Sequence, residues 1–260
     1  RVNLSTNTNE VLRLASEDDV LQRNNQPAYT GDFTSTITQV GDPIYSFYGF
    51  QTMGLFQSDA EIAEAPTQEN AVPGDVRFVD LNGDGVISAD DRTIIGSYLP
   101  DFTYGVSFGA SYGNFDFSLF LQGSQGNDVY NGMASLLSQT NRLFNGSPDR
   151  LLDAWTPQNP NTNTPRIALN DPNNNRRVSD RFVEDGSYMR VKNLTIGYNF
   201  PFSDGPISSL RLSLTGQNLI TVTGYSGLDP EISGNLSSTG FDNGVYPQAR
   251  SLIFGAQVGF

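Results

Sequence analysis

The sequence predicts an all-β protein whose long antiparallel strands form part of a transmembrane β-barrel. Three observations lead to this prediction. Apolar residues alternate with small or polar residues over several stretches of about ten residues, as in strands with one apolar face. The connections between these stretches are alternately very short and very long. No run reaches the roughly 18 consecutive apolar residues that a membrane-spanning helix needs.

The clearest strands form a hairpin near the middle of the chain. Aromatic and aliphatic residues occupy the even positions from Phe102 to Tyr112, and the odd positions hold Thr, Gly or Ser. Gly113 and Asn114 then suit a two-residue turn. The alternation resumes at Phe115 and continues to Gln122, so both strands of the hairpin share one apolar face.

The same alternation predicts five further strands. The full set of seven covers residues 1–7, 34–40, 102–112, 115–122, 188–200, 210–217 and 251–260, of which the first two have the weakest pattern. Seven strands are too few to close around a lumen, and bacterial single-chain barrels have an even number. Residues 1–260 are therefore expected to be the C-terminal third or so of a larger barrel.

The lengths of the connections predict which ends of the strands lie together. Two residues separate the strands at 113–114 and about eight do so at 201–208, whereas roughly 60 residues lie in each of 41–101 and 123–186, and about 27 in 223–249. Outer-membrane barrels have short periplasmic turns and long extracellular loops. We therefore predict that these three long segments are extracellular loops. Aromatic residues gather near the short turns, where an interfacial girdle would lie.

A soluble antiparallel sandwich is the alternative architecture, because its strands alternate equally well. It would make the protein a secreted calcium-dependent β-sandwich adhesion or carbohydrate-binding module. Sandwiches prefer loops of a few residues and do not normally place all their long loops at one end. The connection lengths therefore favour the barrel.

Composition excludes several kinds of chemistry. The 260 residues contain no cysteine and no histidine, which rules out disulfides, Cys or His zinc sites, thiol nucleophiles and Ser-His-Asp triads. The net charge of −13 argues against binding to nucleic acid. A carboxylate-based hydrolase could use Glu184 and Asp185, but neighbours in a strand point to opposite faces. We therefore predict that the protein is not an enzyme.

One segment has the spacing of a calcium-binding loop. Residues 80–91 read DLNGDGVISADD, which places oxygen ligands at positions 1, 3, 5, 7, 9 and 12 of the twelve-residue template and glycine at position 6. The predicted ligands are Asp80, Asn82, Asp84, the carbonyl of Val86, Ser88 and Asp91. The alternative is a pair of Asx and glycine turns with solvated acids.

The surroundings of this loop favour a cation. Residues 41–101 contain 11 acidic residues but only two basic ones, Arg77 and Arg92, so most of the net charge lies in this connection. Bound Ca²⁺ would relieve part of the repulsion. The aspartate at position 12 is shorter than the usual glutamate, which makes two-oxygen closure of the site less certain. We predict a structural Ca²⁺ site.

Several motifs resemble the SusC/RagA-like branch of the TonB-dependent outer-membrane transporters. The segment PGDVRFVDLNGDGVISADDR at 73–92 is followed by IGSYLPDFTYG at 95–105. Three further stretches match in order: GDPIYSFYGF at 41–50, DGSYMRVKNLTIGY at 185–198 and GQNLITVTGYSGLDPE at 216–231. The resemblance covers nearly the whole chain and ends at the terminal Phe260, which resembles the signal read by the barrel-insertion machinery.

The resemblance implies the protein's function and partners. It implies a 22-stranded barrel in the cell outer membrane that takes up nutrients such as oligosaccharides or peptides, surrounded by outer-membrane lipid. TonB would drive the transport by contacting an N-terminal region outside this sequence, and a SusD-like surface lipoprotein would form a lid. Loop aromatics and amides could contact the nutrient or pack loop against loop; the candidates are Trp155, Tyr130, Asn131, Tyr225 and Asn235.

Overall fold

The structure is a computed structural model that describes residues 1–16, 19–24, 35–139, 145–202, 205–232 and 240–260. The strands are β1 (Val2–Ser5), β2 (Leu21–Arg23), β3 (Thr36–Thr38), β4 (Ser46–Phe50), β5 (Thr52–Leu55), β6 (Val76–Phe78), β7 (Arg92–Gly96), β8 (Phe102–Tyr112), β9 (Phe115–Gln125), β10 (Asp128–Asn131), β11 (Val183–Asp185), β12 (Tyr188–Phe200), β13 (Ser209–Thr223), β14 (Phe241–Asp242) and β15 (Ser251–Gly259). The α-helices are α1 (Asp59–Glu64), α2 (Gly132–Leu137) and α3 (Asp149–Leu152), and 3-10 helices span Ala89–Asp91 and Asp180–Phe182.

Six of the strands form one antiparallel sheet, which we call the wall. Its order is β1-β8-β9-β12-β13-β15. The predicted hairpin is present, with Tyr112 paired to Phe115 across the turn at Gly113, whose φ of 55° suits a tight turn. The wall therefore contains the strands that the alternation predicts most strongly.

The register places most apolar residues of the six strands on one face of the wall. Val106 pairs with Val2 and with Leu121. Toward the β15 edge of the sheet, Leu214 pairs with both Ile196 and Phe254. Residues directly opposite each other in a ladder point to the same face, so these pairs build one continuous apolar surface. The opposite face carries mainly Ser, Thr, Asn, Gln and Gly, and its apolar exceptions include Phe120 and Ile253.

The apolar face is exposed, which argues against the sandwich alternative. Leu4 is 66% exposed, Phe108 56% and Phe254 71%. In a sandwich, a second sheet would cover these side chains. Because the face is uncovered in the described part of the chain, the secreted β-sandwich module does not fit this fold.

A β-bulge interrupts the wall at Lys192. The ladder register shifts between Val191 and Asn193 against both neighbouring strands. The extra residue keeps Val191 and Leu194 on the apolar face although their positions differ by an odd number. Arg190, which pairs with Gln122, therefore lies on the polar face. The period-two pattern alone does not predict this shift.

One predicted strand belongs elsewhere. The expected strand at 34–40 is β3, which lies in a four-stranded sheet of order β2-β3-β4-β7, not in the wall. Its three residues are all buried, so both of its faces pack inside protein. Residue 34 lies outside the described residues. The wall therefore has six strands from this chain where seven were expected.

Three long connections leave the same end of the wall, and we call them together the loop assembly. They join β1 to β8, β9 to β12 and β13 to β15, while the short turns at 113–114 and 201–208 lie at the opposite end. They cover residues 6–101, 126–187 and 224–250. Among the described residues, no helix has the length and apolar character needed to cross a membrane.

Candidate functional site

A buried aromatic cluster joins all three connections of the loop assembly, and we call it the interlocking core. It consists of Phe47, Tyr130, Val178, Phe182 and Phe241. The ring of Phe241 lies 5.0 Å from those of Phe47 and Tyr130, measured between centroids. Burial of such rings is strongly favourable. The three connections are therefore packed together as one unit.

A second cluster lies within the acidic first connection, at residues 50–87. It contains Phe50, Leu55, Val76, Phe78 and Ile87, with Trp155 packed against it from the next connection. A Cβ on Gly74 would lie within 2.3 Å of the Trp155 ring, so only glycine allows this approach. The Trp155 Nε1 donates a hydrogen bond of 2.9 Å to Gln57 Oε1.

Polar contacts tie the second and third connections together. Glu184 accepts hydrogen bonds of 2.8 Å from Asn131 Nδ2 and from the backbone nitrogen and hydroxyl of Ser226. The Tyr225 hydroxyl donates to Asp242 Oδ2 at 2.7 Å. Burial, followed by this bond to Asp242, raises the pKa of Tyr225 far above its usual value, so the phenol stays neutral.

A buried ion network attaches the third connection to the wall. The Arg190 guanidinium is 2.5 Å from Asp229 Oδ1 and 2.8 Å from Glu231 Oε2, and its Nε donates to Thr221 Oγ1 at 2.9 Å. Its side chain is 2% exposed. Lys192, the bulged residue, also pairs with Glu231 at 2.8 Å. Sequence reasoning missed this network, although a charged residue inside an alternating strand signals a buried partner.

The loop residues predicted to contact a nutrient mostly pack against other loops. Tyr130 is fully buried and Tyr225 is 6% exposed, so neither ring is open for stacking on a ligand. Asn131 is buried and caps α2 through its Oδ1. Trp155 is half-buried against the second cluster. Asn235 lies outside the described residues. For the buried residues, packing is thus the interpretation that the structure supports.

The two acids considered for hydrolysis have separate structural roles. Glu184 links Asn131 to Ser226, whereas Asp185 Oδ1 accepts from the backbone nitrogen of Ser187 at 2.8 Å. Hydrogen bonds from the Ser187 hydroxyl and backbone hold the pKa of Asp185 below its ordinary value. Glu184 thus joins the second connection to the third, and Asp185 fixes the backbone between β11 and β12.

The calcium-like loop is folded by its own side chains. Asp80 accepts hydrogen bonds from the backbone nitrogens of Gly83 at 2.7 Å and Gly85 at 2.9 Å. Asn82 Oδ1 accepts from Asp84 N, and Asp84 Oδ1 from Val86 N, both at 2.8 Å. These are successive Asx turns, the alternative that the sequence left open. Each carboxylate oxygen keeps a second lone pair, so the turns do not exclude a cation.

Asp91 closes this loop from the inside. It is fully buried and accepts hydrogen bonds from the backbone nitrogens of Leu81 at 2.9 Å and Ser88 at 2.7 Å. Burial acts to raise the pKa of Asp91, but these backbone donors outweigh it and hold the pKa below its ordinary value. The described residues contain no group of three or more acidic side chains positioned to hold a metal ion. Calcium binding here stays a prediction.

A cavity lined by four arginines also escaped the sequence analysis. Arg150, Arg166, Arg176 and Arg181 come from the connection between β9 and β12 and line one small cavity. They are separated by up to 31 positions and follow no motif, so only the fold brings them together.

Comparison with known proteins gives matches that cover nearly the whole of this chain. No protein-family model matches the sequence. The chain is 37% identical to TonB-dependent receptor P3 of Formosa agariphila and 28% identical to TonB-dependent receptor SusC of Bacteroides thetaiotaomicron. These alignments cover 99% of this chain but only 26% and 24% of the two relatives. The chain therefore spans about a quarter of the length of the curated relatives it matches.

The whole of this chain matches part of a solved transporter in fold. The RagAB peptide transporter structure superposes with a TM-score of 0.76 at 25% sequence identity, covering 100% of this chain and 27% of that chain. The predicted fold class, an antiparallel transmembrane β-barrel represented here by an unclosed part of its wall, is thereby confirmed. The matched proteins are receptors and a transporter, not enzymes. Which quarter of the relatives this chain represents stays a prediction.

Proposed function

The chain belongs to the SusC/RagA-like TonB-dependent receptors, which are outer-membrane proteins, and we propose that it forms part of a nutrient uptake channel. The match over 99% of the chain to proteins of this family carries the proposal. Under this proposal, the six-stranded wall lies in the lipid bilayer and the loop assembly projects to the extracellular side.

The two faces of the wall support this placement. The apolar face, with exposed side chains such as Leu4, Phe108 and Phe254, suits contact with lipid. The inward face carries polar groups and the ion pair between Arg211 and Asp116, whose nitrogen and oxygen are 2.6 Å apart. Lumen-facing residues of membrane barrels are polar in this way.

The nutrient is proposed to be an oligosaccharide or a peptide. The RagAB structure is that of a peptide transporter, and this chain resembles it over its full length. The test is uptake of labelled peptides and oligosaccharides by cells that carry the complete receptor, with and without TonB. We expect uptake of at least one nutrient to require both the receptor and TonB. Uptake that persists at the same rate without TonB would contradict the proposal.

A SusD-like surface lipoprotein is proposed to cover the loop assembly. The interlocking core gives this end of the wall a packed surface on which a lid could dock. The complete receptor, purified in mild detergent, should then carry a lipoprotein in equal amount. Purification of a stable receptor alone, from cells that produce both proteins, would argue against a constitutive lid.

The loop at 80–91 is proposed to hold a structural Ca²⁺. The side chains of Asn82 and Asp84 are exposed and offer the hard oxygen ligands that calcium prefers. Asp80 and the Val86 carbonyl complete the exposed side, while Ser88 and Asp91 close the base. Gly83 and Gly85 adopt positive φ values of 75° and 84°, which permits the tight loop.

Calcium titration of the complete receptor tests this site. We expect Ca²⁺ to raise the melting temperature of the wild type and of Asp90→Ala, because Asp90 is an exposed acid outside the ligand set. Asp84→Ala should lose the effect. Equal stabilisation of wild type and Asp84→Ala by Ca²⁺ would show that the loop is not the site.

A further inference from the structure

The four arginines of the loop assembly line a small cavity, and two of them also line a larger cavity beside it. The small cavity lined by Arg150, Arg166, Arg176 and Arg181 has a volume of about 30 Å³. It adjoins a cavity of about 470 Å³, and Arg150 and Arg181 line both. A concentration of four guanidinium groups is unexpected in a chain whose net charge is −13. These basic side chains are thus gathered at one place in a chain that is acidic as a whole.

One of the arginines is paired with an acid, and a second acid lines the small cavity. Arg166 Nε lies 2.8 Å from Asp75 Oδ1, and its Nη2 donates to Asp75 Oδ2 at 3.2 Å. Asp171 lines the cavity too, and its two oxygens accept from the backbone nitrogens of Asn175 and Arg176 at 2.9 and 3.2 Å. With Asp180, whose charge acts on Arg181, these carboxylates offset at most three of the four positive charges.

Arg150 and Arg181 have no carboxylate partner within ion-pair distance among the described residues. Arg150 donates to the carbonyl oxygen of Gln139, and Arg181 Nη2 donates to that of Asn163 at 3.0 Å. A carbonyl oxygen satisfies one N–H of a guanidinium that has five. Burial lowers the pKa of Arg181, but arginine remains charged at neutral pH. The charges of Asp180 and Asp171 act on Arg181 without a direct ion pair. The shared wall of the two cavities thus carries two guanidinium groups with N–H donors that can bind an anion directly.

The larger cavity is mainly apolar. Its lining includes Met133, Ala134, Leu137, Pro165 and Leu228, together with polar side chains such as Thr164 and Ser226 and the carboxylate of Asp242. A volume of 470 Å³ lies in the range of small-molecule sites. An apolar space beside two guanidinium groups selects a ligand that has a carboxylate and an apolar group close together.

We propose that these cavities bind the C-terminal residue of a peptide, with its carboxylate between Arg150 and Arg181 and an apolar side chain in the larger cavity. The proposal rests on the proposed uptake function and specifies the nutrient. Guanidinium groups bind planar carboxylates with two parallel hydrogen bonds. The small cavity has room for little more than such a group.

The apolar lining favours a peptide terminus over an acidic sugar. A sugar acid carries hydroxyl groups on every side, and those facing Met133, Leu137 and Leu228 would lose their water without a hydrogen-bond partner. Only the hydroxyl groups that face the polar part of the lining could be satisfied. An aspartate or glutamate side chain is also a poorer fit, because no apolar group is attached next to its carboxylate. The last residue of a peptide combines both groups on one α-carbon.

Binding to the complete receptor in detergent tests the proposal. The probe is acetyl-Ala-Ala-Leu with a free C-terminus, compared with the same peptide carrying a C-terminal amide. Calorimetric titration should give about tenfold to a hundredfold tighter binding for the free acid, since hydrogen bonds to a charged group are the strong ones. Equal affinity for acid and amide would overturn the proposal.

Variants locate the binding. Arg181→Gln should reduce the affinity for the free acid to that for the amide, and Arg150→Gln provides a second variant should the first fail to fold. Arg13→Gln is the matched control, because it removes the same charge from an exposed residue that lines neither cavity. If Arg13→Gln weakens binding as much as Arg181→Gln, the effect is one of net charge and the site is wrong.

A uronate-terminated oligosaccharide separates this inference from the proposed function. If it binds, loses affinity in Arg181→Gln, and the peptide does not bind, the cavities recognise a sugar acid and the peptide assignment is overturned. TonB-dependent uptake of any nutrient would still support the uptake function in that case. Loss of all TonB-dependent uptake, with the peptide still bound at Arg181, would instead contradict the uptake function alone.

Discussion

Replacement of Arg190 by methionine should release the third connection of the loop assembly from the wall. Arg190 bridges Asp229 and Glu231, and the Arg190 and Asp229 side chains are 2% and 5% exposed. Removing one partner of a buried ion pair costs about 3–5 kcal/mol, because the remaining charge is left without compensation. Asp229 keeps backbone hydrogen bonds of 2.9 Å from Glu231 and Gln248, so we expect the lower end of this range.

Hydrogen exchange measures this loss directly. The amides of Glu231 and Gln248 donate to Asp229, so their exchange reports the opening of the contact. A cost of about 3 kcal/mol corresponds to roughly 100-fold faster exchange, since each 1.4 kcal/mol is a factor of ten. The complete receptor in detergent is the sample, and mass spectrometry of peptides from 224–250 gives the rates.

The neighbouring cation is a matched control for this measurement. Lys192 pairs with Glu231, but their side chains are 20% and 27% exposed. Pairs nearer the surface contribute at most about 1 kcal/mol, so Lys192→Met should accelerate exchange less than about fivefold. The double variant Arg190→Met with Asp229→Asn should recover part of the protection, because it removes both charges. If Arg190→Met changes the two amides no more than Lys192→Met does, the argument from burial is wrong.

Two further predictions concern the inward face and low pH. Gly197→Ala should lower the temperature at which the folded electrophoretic band of the complete receptor disappears, because its Cβ would lie 2.5 Å from atoms of both Arg211 and Asp116. Gly109→Ala, whose Cβ would meet nothing closer than 3.8 Å, should leave that temperature unchanged; equal shifts would contradict the steric reasoning. The second prediction concerns Asp229. Burial acts to raise its pKa, but the hydrogen bonds from Gln248 N, Arg190 and Glu231 N have the larger effect and hold the pKa below its ordinary value. The stability that ionised Asp229 contributes is complete above the ordinary pKa and is lost as the pH falls below it. Hydrogen exchange at 224–250 should therefore accelerate in that acidic window in wild type but not in Asp229→Asn, and identical pH profiles would refute the assignment.

The wall was predictable because its strands obey a local rule. From Phe102 to Tyr112, the face on which each residue lies follows from whether its position is odd or even. The apolar face can therefore be predicted without knowing which strand is the partner. The bulge at Lys192 was not predictable in the same way. It shifts the register by one residue, and its evidence lies in the partner strands, where Val191 pairs with Leu121 but Asn193 with Phe120.

The loop assembly was not predictable, because its contacts join distant parts of the sequence. The strands β3 and β4 have three and five residues and are mostly buried on both faces, so alternation was weak at β3 and did not predict β4. Thr52 donates its hydroxyl to Asp180 Oδ1 at 2.7 Å across 128 positions. Arg166 pairs with Asp75 across 91 positions. Nothing local in the sequence specifies such pairs.

The calcium-like loop was predictable in part. Its spacing was readable because each Asx turn spans two or three residues, as in the bond from Asp84 N to Asn82 Oδ1. The same hydrogen bonds serve both a metal loop and a plain pair of turns. Spacing therefore identified the loop's shape, while the presence of an ion is a separate question for titration.

The contacts among the three connections limit how the loop assembly can move. The interlocking core takes Phe47 from the first connection, Tyr130 from the second and Phe241 from the third. Moving one connection alone would expose these rings to water, at a cost of about 1.5–3 kcal/mol for each large apolar side chain. Arg190 adds a further tie between the third connection and the wall. We therefore expect the described parts of the three connections to move as one body, and a nutrient bound at Arg150 and Arg181 would move with them.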